Sequence, residues 1–317
     1  MLERAEVVRS QMGKLHQPAS GATLMSPAAL QEGIASLSRG VYFREASLSM
    51  MLSILTESAA QMSGVERVSI WALTNSQSEL TCLDLYEQAS GQHSKGASID
   101  AGGYPVYFRA LQAGTAITAD DAYLHPLTAE FASDYLPRHK VTAMLDTPIH
   151  IRGELQGVLC LEQVASRQPW TAAHQLFAQA VANLVTLALV EYEAEEARRA
   201  AKEASERLRA VFDASRDALF LADRDSGEIL DVNRQAEALV GRTRNELLGR
   251  HQGSLHPAEF QKSMLGEFRQ MFDGCQSLTL ASQVQHSDGR KLPVEITAEV
   301  ADLSDGRRLA LSVFRPV

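Results

Sequence analysis

The chain has 317 residues, of which 45% are hydrophobic and 22% charged, an ordinary composition for about two soluble domains. It carries 39 acidic and 30 basic residues, a net charge of −9, and no basic stripe, so we expect no direct nucleic-acid binding. The three scattered cysteines predict no disulfide framework and a reducing, cytoplasmic location. The longest apolar run, 178–190, is interrupted by Gln179 and Asn183, and we expect no membrane span.

The first part of the chain predicts an α+β domain that follows a partly disordered or helical arm at residues 1–39. The predicted elements are, in chain order, a helix over about 41–63 that ends at Gly64, strands over 67–73 and 79–88, a loop-rich stretch over 89–141, two strands within 143–163 joined at Arg152-Gly153, and a helix from Trp170 to about Ser215. Cys82 and Cys160 lie within these strand patterns between apolar neighbours, where a cysteine is usually a small buried hydrophobe.

Three segments of this part carry a family resemblance: VSIWAL, YLPRHKVTAMLDTPIHIRGELQGVLCLEQ and WTAAHQLFAQAVANLVTLAL. With them, residues 40–192 resemble the GAF family of small-molecule sensor domains. The resemblance implies an antiparallel sheet with flanking helices. It also raises one enzymatic alternative, the GAF-type methionine sulfoxide reductases, which need reactive cysteines over the pocket and are disfavoured by the strand positions of Cys82 and Cys160.

The second part predicts strands and short helices with clear capping signals. Asn233 can cap a helix over 234–240, Gly241 can end it, and Thr243 with Glu246 forms a capping box. The other predicted elements are two strands within 217–233, a long helix over about 257–272, and strands over about 275–286, 290–301 and 307–315.

This order of elements, with the segment DVNRQAEALVGRTRNELLG, resembles the PAS family over about residues 208–315. The resemblance implies a five-stranded antiparallel sheet with short helices, and the domains are then the arm at 1–39, a GAF-like domain at 40–192, a helical linker at 193–207 and a PAS-like domain at 208–317. Because the last predicted strand completes a PAS fold, we expect the output domain to be a separate partner or to follow Val317. It would be a kinase, a diguanylate cyclase or another cyclic-nucleotide enzyme, or a transcription factor.

A heptad pattern in the long helix predicts a parallel homodimer. Its apolar positions alternate in steps of three and four and are Leu187, Val190, Ala194, Ala197, Ala201, Ala204, Leu208 and Val211. Because most of them are alanines, the seam buries little apolar area and suits a switchable linker. The alternative is a solvated monomeric helix that spaces two domains.

Aromatic residues predict a ligand pocket in the first domain, under the irregular stretch that should fold over the sheet. The predicted wall consists of Tyr104, Tyr107, Tyr123, Phe131 and Tyr135, and the predicted floor consists of Trp71 and Tyr86. In the second domain the predicted lining residues, on one face of the long helix, are Phe260, Met264, Phe268 and Met271. For both sets, ordinary core packing is the alternative.

Motifs for catalysis are absent from the sequence, which contains no GxxxxGK[ST], GxGxxG, HExxH, GxSxG or CxxC. The histidines show no metal-ligand spacing, and neither a flavin-binding cysteine nor a haem-ligating histidine stands where related PAS domains carry one. We therefore predict a non-enzymatic cytoplasmic sensor without a cofactor or metal, acting in two-component or cyclic-dinucleotide signalling. The alternative from another class is an interaction scaffold with filled pockets.

Overall fold

A computed structural model of the protein describes residues 27–38, 46–261 and 279–317. These residues fall into two compact units, divided in the sequence after Glu196, each with its own sheet and core. The fold class is α+β, as predicted. Several predictions concern residues outside the described ranges, namely residues 1–26 of the arm, residues 262–272 of the long helix, and Cys275.

The first unit begins with helices and then forms its sheet. Its elements are α1 (Pro27–Ser38), α2 (Leu48–Ser63), β1 (Arg67–Thr74), β2 (Glu79–Glu87), β3 (Gln92–Ser94), β4 (Ser98–Asp100), α3 (Pro105–Gln112), β5 (Ile117–Ala119), α4 (Tyr135–His139), β6 (Val141–Ile151), β7 (Glu154–Val164) and α5 (Ala172–Ala214), with 3-10 turns at Asn75–Gln77 and Ala129–Ser133. Helix α2 begins later than the predicted residue 41, because Ser47 is extended and caps the helix by accepting from the Met50 amide.

The strands of the first unit, within the described residues, form one antiparallel seven-stranded sheet in the order β3-β2-β1-β7-β6-β5, with β4 also paired to β2. One face packs on α2 and the first part of α5, through residues such as Leu55, Leu161 and Val181. The other face carries Trp71 and Cys160 and forms a second core with the segment at 101–139. This second face holds the candidate site.

The second unit has the predicted strands and caps. Its elements are β8 (Ala218–Asp223), β9 (Ile229–Val232), α6 (Arg234–Val240), α7 (Arg244–Leu247), a 3-10 turn at Gln252–Leu255, β10 (Leu280–Gln285), β11 (Lys291–Asp302) and β12 (Arg308–Pro316). Asn233 accepts from the Ala236 amide at 2.9 Å, Gly241 adopts φ +66° at the end of α6, and Thr243 with Glu246 forms the capping box.

The strands of the second unit, as far as the structure describes it, form a five-stranded antiparallel sheet in the order β10-β11-β12-β8-β9. Strand β12 is central, because it pairs with β11 on one side and with β8 on the other. Its buried residues are Ala310, Ser312 and Phe314, and Phe314 packs 4.8 Å from Phe220. The leucines at 309 and 311 therefore point to the outer face.

Helix α5 contains an 18-residue window with a mean hydropathy of 1.4, sufficient in length and composition alone to cross a membrane. In the structure 44% of that window is buried, and Phe177, Val181 and Val185 belong to the first core. Core packing thus explains the apolar character of this stretch, since buried core helices of soluble proteins can be equally long and apolar.

Candidate functional site

The candidate site lies on the sheet face opposite α2, where the strand register brings polar and apolar side chains together. Because directly opposed residues of an antiparallel pair project to the same face, each pairing places two side chains side by side. The pairs on this face are Arg67 with Glu162, Ser69 with Cys160, Trp71 with Val158, Asp146 with Cys160, and Met144 with Glu162. Two carboxylates and an arginine thus lie among apolar neighbours.

The segment at 101–139 covers this face with an aromatic cluster around Phe131. The Phe131 ring stacks on Tyr104 at 4.3 Å, meets Tyr107 edge-on at 4.8 Å, and lies 5.6 Å from Tyr135. Glu130 joins two parts of this segment, since its carboxylate accepts from the amides of Val106 and Tyr107 at the first turn of α3. A carboxylate at a helix N-terminus is favourable because it satisfies free N–H groups there.

Between the sheet and the covering segment lies a small cavity. Only about 10 Å³ of it can hold the centre of a water-sized sphere, which is room for about one water molecule. Its wall is made by Trp71, Leu80, Ile99, Tyr107, Phe131, Tyr135, Met144, Val158, Cys160 and Glu162. The aromatic side chains fill most of the space between the two layers.

A buried ion pair lies at one side of the cavity. Arg67 Nε donates to Glu162 at 2.8 Å, and the Tyr135 hydroxyl donates to the other oxygen of that carboxylate at 2.7 Å. Arg67 also pairs with Glu87 and lies 3.5 Å from His139 Nδ1. Burial raises the pKa of the Tyr135 hydroxyl well above its usual range, and the Glu162 carboxylate raises it further, so Tyr135 remains a donor.

A second buried carboxylate, Asp146, has no such counter-charge within the part of the chain that the structure describes. The Tyr107 hydroxyl donates to Asp146 Oδ2 at 2.8 Å, while Oδ1 is buried without a hydrogen-bond partner among the described residues. Burial, together with the charge of Glu162, raises the pKa of Asp146 to about 7, and the hydrogen bonds from Tyr107 and the Cys160 thiol lower it only in part. Asp146 is therefore a carboxyl group near its midpoint of ionisation at neutral pH.

The two cysteines of this domain are buried, as their strand positions predicted. Burial raises the pKa of the Cys82 thiol to about 12, and burial together with Asp146 raises that of Cys160 well above its usual range. Thiols held in this way are protonated at neutral pH and are poor nucleophiles. Their surroundings thus do not suit the reactive cysteines that a reductase requires.

The predicted pocket residues are not all at the cavity. Trp71, Tyr107, Phe131 and Tyr135 line it, while Tyr104 and Tyr123 pack against the same core without lining it. The placement of Tyr86 in the floor is wrong: Tyr86 pairs with Val68, an odd number of residues from Trp71, and both Tyr86 and Val68 lie in the helix-facing core. In the second unit Phe260 is 38% exposed, and Met264, Phe268 and Met271 lie outside the described residues.

The predicted heptad positions of α5 are all exposed in the single chain. Leu187 is 45% exposed and Leu208 is 72% exposed, and the seam alanines are also open to solvent. Leu176, which was not predicted, continues the same spacing and is likewise exposed. The apolar seam of α5 thus has no partner within the described residues of the chain.

Two family models match this sequence. One is described as a GAF domain and matches residues 47–189, and the other is described as a PAS domain and matches residues 216–315. The chain is a GAF–PAS protein. Since GAF and PAS domains are sensory domains, it has the parts of a signalling sensor.

Individual relatives of this GAF–PAS protein are distant. An uncharacterized protein of Azorhizobium caulinodans is 27% identical over 192 residues, which make up 58% of this chain and 25% of that protein. The chain therefore spans about a quarter of that relative's length. The GAF domain of a phosphoenolpyruvate-protein phosphotransferase from Coxiella burnetii is 15% identical, with a TM-score of 0.45, covering 54% of this chain and 99% of that domain. The PAS domain of an HTR-like protein from Haloarcula marismortui is 25% identical, with a TM-score of 0.33, covering 39% and 99% respectively.

The charged residues of the GAF site were not among the residues predicted from the sequence. Arg67, Asp146 and Glu162 each stand within or beside an apolar run of a predicted strand, as in AMLDTPI and VLCLEQV. A charged residue at the position of an inward-facing side chain is costly unless it is paired. A charged residue at an inward-facing position of a predicted strand was therefore the sequence feature by which these residues could have been identified.

Proposed function

We propose that this GAF–PAS protein is a cytoplasmic sensor in which a small molecule bound in the GAF cavity alters a parallel homodimer formed along α5. The helix then passes the change to an output partner, such as a kinase, a diguanylate cyclase or a transcription factor. The output acts in two-component or cyclic-dinucleotide signalling. It is either a separate protein or a domain of a longer chain.

The observation that carries this proposal is the division of α5 into a buried and an exposed stripe. Phe177, Val181 and Val185 lie in the GAF core, while Leu187 and Val190 begin the exposed heptad seam. A helix with one stripe in a sensory core and another available to a second copy suits the transmission of a conformational change. The mostly alanine seam buries little apolar area, which suits a dimer with two states of similar free energy.

The end of α5 is bonded to the PAS domain, which supports the same role. Arg209 donates from Nη1 to Asp231 at 2.9 Å, and Asn233 donates to the Phe212 carbonyl at 3.1 Å. Asp231 also accepts from Arg244 at 2.6 Å. A rotation of this last turn of α5 must therefore either break these hydrogen bonds or move the first residues of α6 and α7 with it.

Light scattering tests the dimer directly. The wild-type protein should have a mass of twice 34.6 kDa at tens of micromolar, and Leu187→Glu combined with Leu208→Glu should have the monomer mass. The control combines Tyr192→Glu with Ala210→Glu, which are exposed positions outside the seam, and should remain dimeric. A monomeric wild type, or equal dissociation of both double variants, would contradict the proposal.

A second candidate function, the interaction scaffold, is favoured by one observation. The GAF cavity has room for about one water molecule, as in a domain whose core is simply filled. A scaffold would dimerise and bind partners without a ligand. Native mass spectrometry of the purified protein distinguishes the two candidates, because a sensor should carry or take up a small molecule and a scaffold should not.

A further inference from the structure

The charged groups on the sheet face that bears the GAF cavity are unbalanced, although only Glu162 among them lines the cavity itself. One cation, Arg67, faces two carboxylates with which it forms ion pairs, Glu87 and Glu162. Asp146 adds a third carboxylate, and among the described residues no lysine, arginine or histidine pairs with it. The ionised site therefore has an excess of negative charge in surroundings where a charge without a partner is costly.

The hydrogen-bonding capacity that remains at the site, among the described residues, is that of an acceptor. Both oxygens of Glu162 accept from strong protein donors, while Asp146 has one such donor, Tyr107, among the described residues, and its fully buried Oδ1 has none. The Cys160 thiol, which also interacts with the Asp146 carboxylate, is only a weak donor. Asp146 projects from the same face as Cys160, its cross-strand neighbour, whose side chain lines the cavity. The Tyr107 ring lines the cavity as well, and its hydroxyl holds the other oxygen of Asp146. A molecule that displaces the Tyr107 hydroxyl from Asp146 contacts hydrogen-bond acceptors of the protein, so the molecule itself must carry hydrogen-bond donors.

The wall opposite these carboxylates also suits positive charge. Phe131 lies within 6 Å of three tyrosine rings, and Trp71 stands on the sheet side. Faces of aromatic rings attract cations through the negative charge density above the ring. Carboxylates together with aromatic faces are a favourable environment for an organic ammonium or guanidinium group and an unfavourable one for a phosphate or carboxylate.

We propose that the GAF cavity binds a small organic cation with N–H donors, whose nitrogen pairs with Asp146 and whose body lies against the rings around Phe131. This inference rests on the proposed sensory function and specifies its ligand class. Because the cavity as it stands holds about one water molecule, binding requires the segment at 101–139 to move outward. The hydrogen bonds of Tyr107 and Tyr135 to the two carboxylates break in that movement, so ligand binding is coupled to the cover of the sheet.

Calorimetric titration of the full chain with charge-matched compounds tests the proposal. The probes are benzylammonium, propylammonium and benzamidinium, with benzyl alcohol, propanol and benzoate as their neutral and anionic counterparts, at a pH above the pKa of Asp146. At least one cation should bind about tenfold or more tightly than its neutral counterpart, as expected for a charge-assisted hydrogen bond to a buried carboxylate. Benzoate should not bind.

Substitutions locate the effect. Asp146→Asn should abolish the preference for the cation, since the amide keeps the shape and loses the charge. Asp84→Asn is the matched control: Asp84 is also buried in this domain but pairs with Ile70, a residue of the helix-facing core, and should leave the preference unchanged. If Asp146→Asn does not fold, Phe131→Leu provides the second test, because loss of the ring should weaken binding of the cation about threefold more than binding of its alcohol counterpart.

The outcomes separate the ligand class from the proposed function. Binding of benzyl alcohol or benzoate as tight as that of the cations would overturn the inference and leave the sensory function standing. Binding that survives Asp146→Asn with its cation preference intact would also overturn the inference. If no probe binds and the purified protein carries no small molecule, both the inference and ligand sensing by the GAF domain fail.

Discussion

The hydroxyl of Tyr135 donates a 2.7 Å hydrogen bond to Glu162, and this bond joins the segment that covers the GAF sheet to a carboxylate in the middle of the sheet. The same carboxylate accepts from Arg67 Nε at 2.8 Å. The cover and the buried ion pair are thus parts of one network. A ligand that displaces the cover must therefore also change the partners of a buried charge.

Tyr135→Phe should loosen the cover without unfolding the domain. The loss of one hydrogen bond to a charged group is expected to lower the free energy of unfolding by about 1.5–3 kcal/mol. Hydrogen exchange of residues 129–139 should become faster, while exchange in α2 should change less. Tyr123→Phe, in the same segment but away from the cavity, is the control. Equal exchange in wild type and Tyr135→Phe would show that this bond does not hold the cover.

Asp146 should make the stability of the GAF domain depend on pH. Its pKa is raised from 3.8 to about 7 in the folded protein, so the folded state binds a proton that the unfolded state has lost. The resulting stability is fully present below pH 3.8 and is lost as the pH rises through about 7. At one pKa unit per 1.36 kcal/mol, the loss amounts to roughly 4 kcal/mol.

Urea unfolding of wild type and Asp146→Asn between pH 5 and 8 measures this contribution, because the difference between the two proteins removes what other groups contribute. The variant should gain stability relative to wild type as the pH rises. A difference that stays constant over this range would contradict the shifted pKa of Asp146.

Cys82 and Cys160 should react slowly with thiol reagents in the folded protein. Both are buried, and burial raises the pKa of Cys82 to about 12 and that of Cys160 well above its usual range, so little thiolate is present at neutral pH. Mass spectrometry after timed labelling should show both free thiols in the native protein and both modified in denaturant. Rapid labelling of either cysteine in the native protein would restore the reductase hypothesis.

Removal of residues 307–317 should unfold the PAS domain and leave the GAF domain folded. Strand β12 pairs with β8 and β11 and contributes Phe314 to the PAS core, so its loss exposes an apolar face and unpaired backbone groups. The cost is a large part of the ~5–15 kcal/mol that holds a typical domain. Removal of Pro316 and Val317 alone should be tolerated. Urea unfolding, followed separately in each domain, measures the effect. A PAS unfolding transition that the long truncation leaves unchanged would contradict this prediction.

The order of elements could be predicted because each is marked locally. Gly64 and Gly241 end helices at positive φ, and Arg152 with Gly153 makes a turn with both residues at positive φ. Several short elements were missed, including one that begins with a proline at its first helical position. Helix α3 has eight residues and lies inside a stretch predicted as loop, where its burial against the sheet, through Phe108 and Leu111, supplies the stability.

The candidate site was predicted less well, because its geometry depends on register. The aromatic residues of the covering segment were identified by type, but Tyr86 was assigned to the wrong face. The register of β1 and β2 shifts between Ile70 and Trp71, and strand side chains alternate in facing, so one shift reverses the face that a residue occupies. The pairing of Asp146 with Tyr107 joins residues far apart in the sequence, and no local pattern marks it.

The dipolar distance between spin labels at position 206 in the two copies distinguishes a parallel dimer of α5 from the alternatives. Glu206 is exposed on α5 outside the seam, and Glu206→Cys in a Cys275→Ser background leaves two buried cysteines that label slowly. Parallel helices should give one short distance, set by the ~10 Å spacing of packed helices plus the label arms. An antiparallel pair would place the labels roughly 40 Å apart, since position 206 lies well beyond the middle of the helix. That long distance, or the absence of any dipolar signal, would show that α5 does not form a parallel dimer.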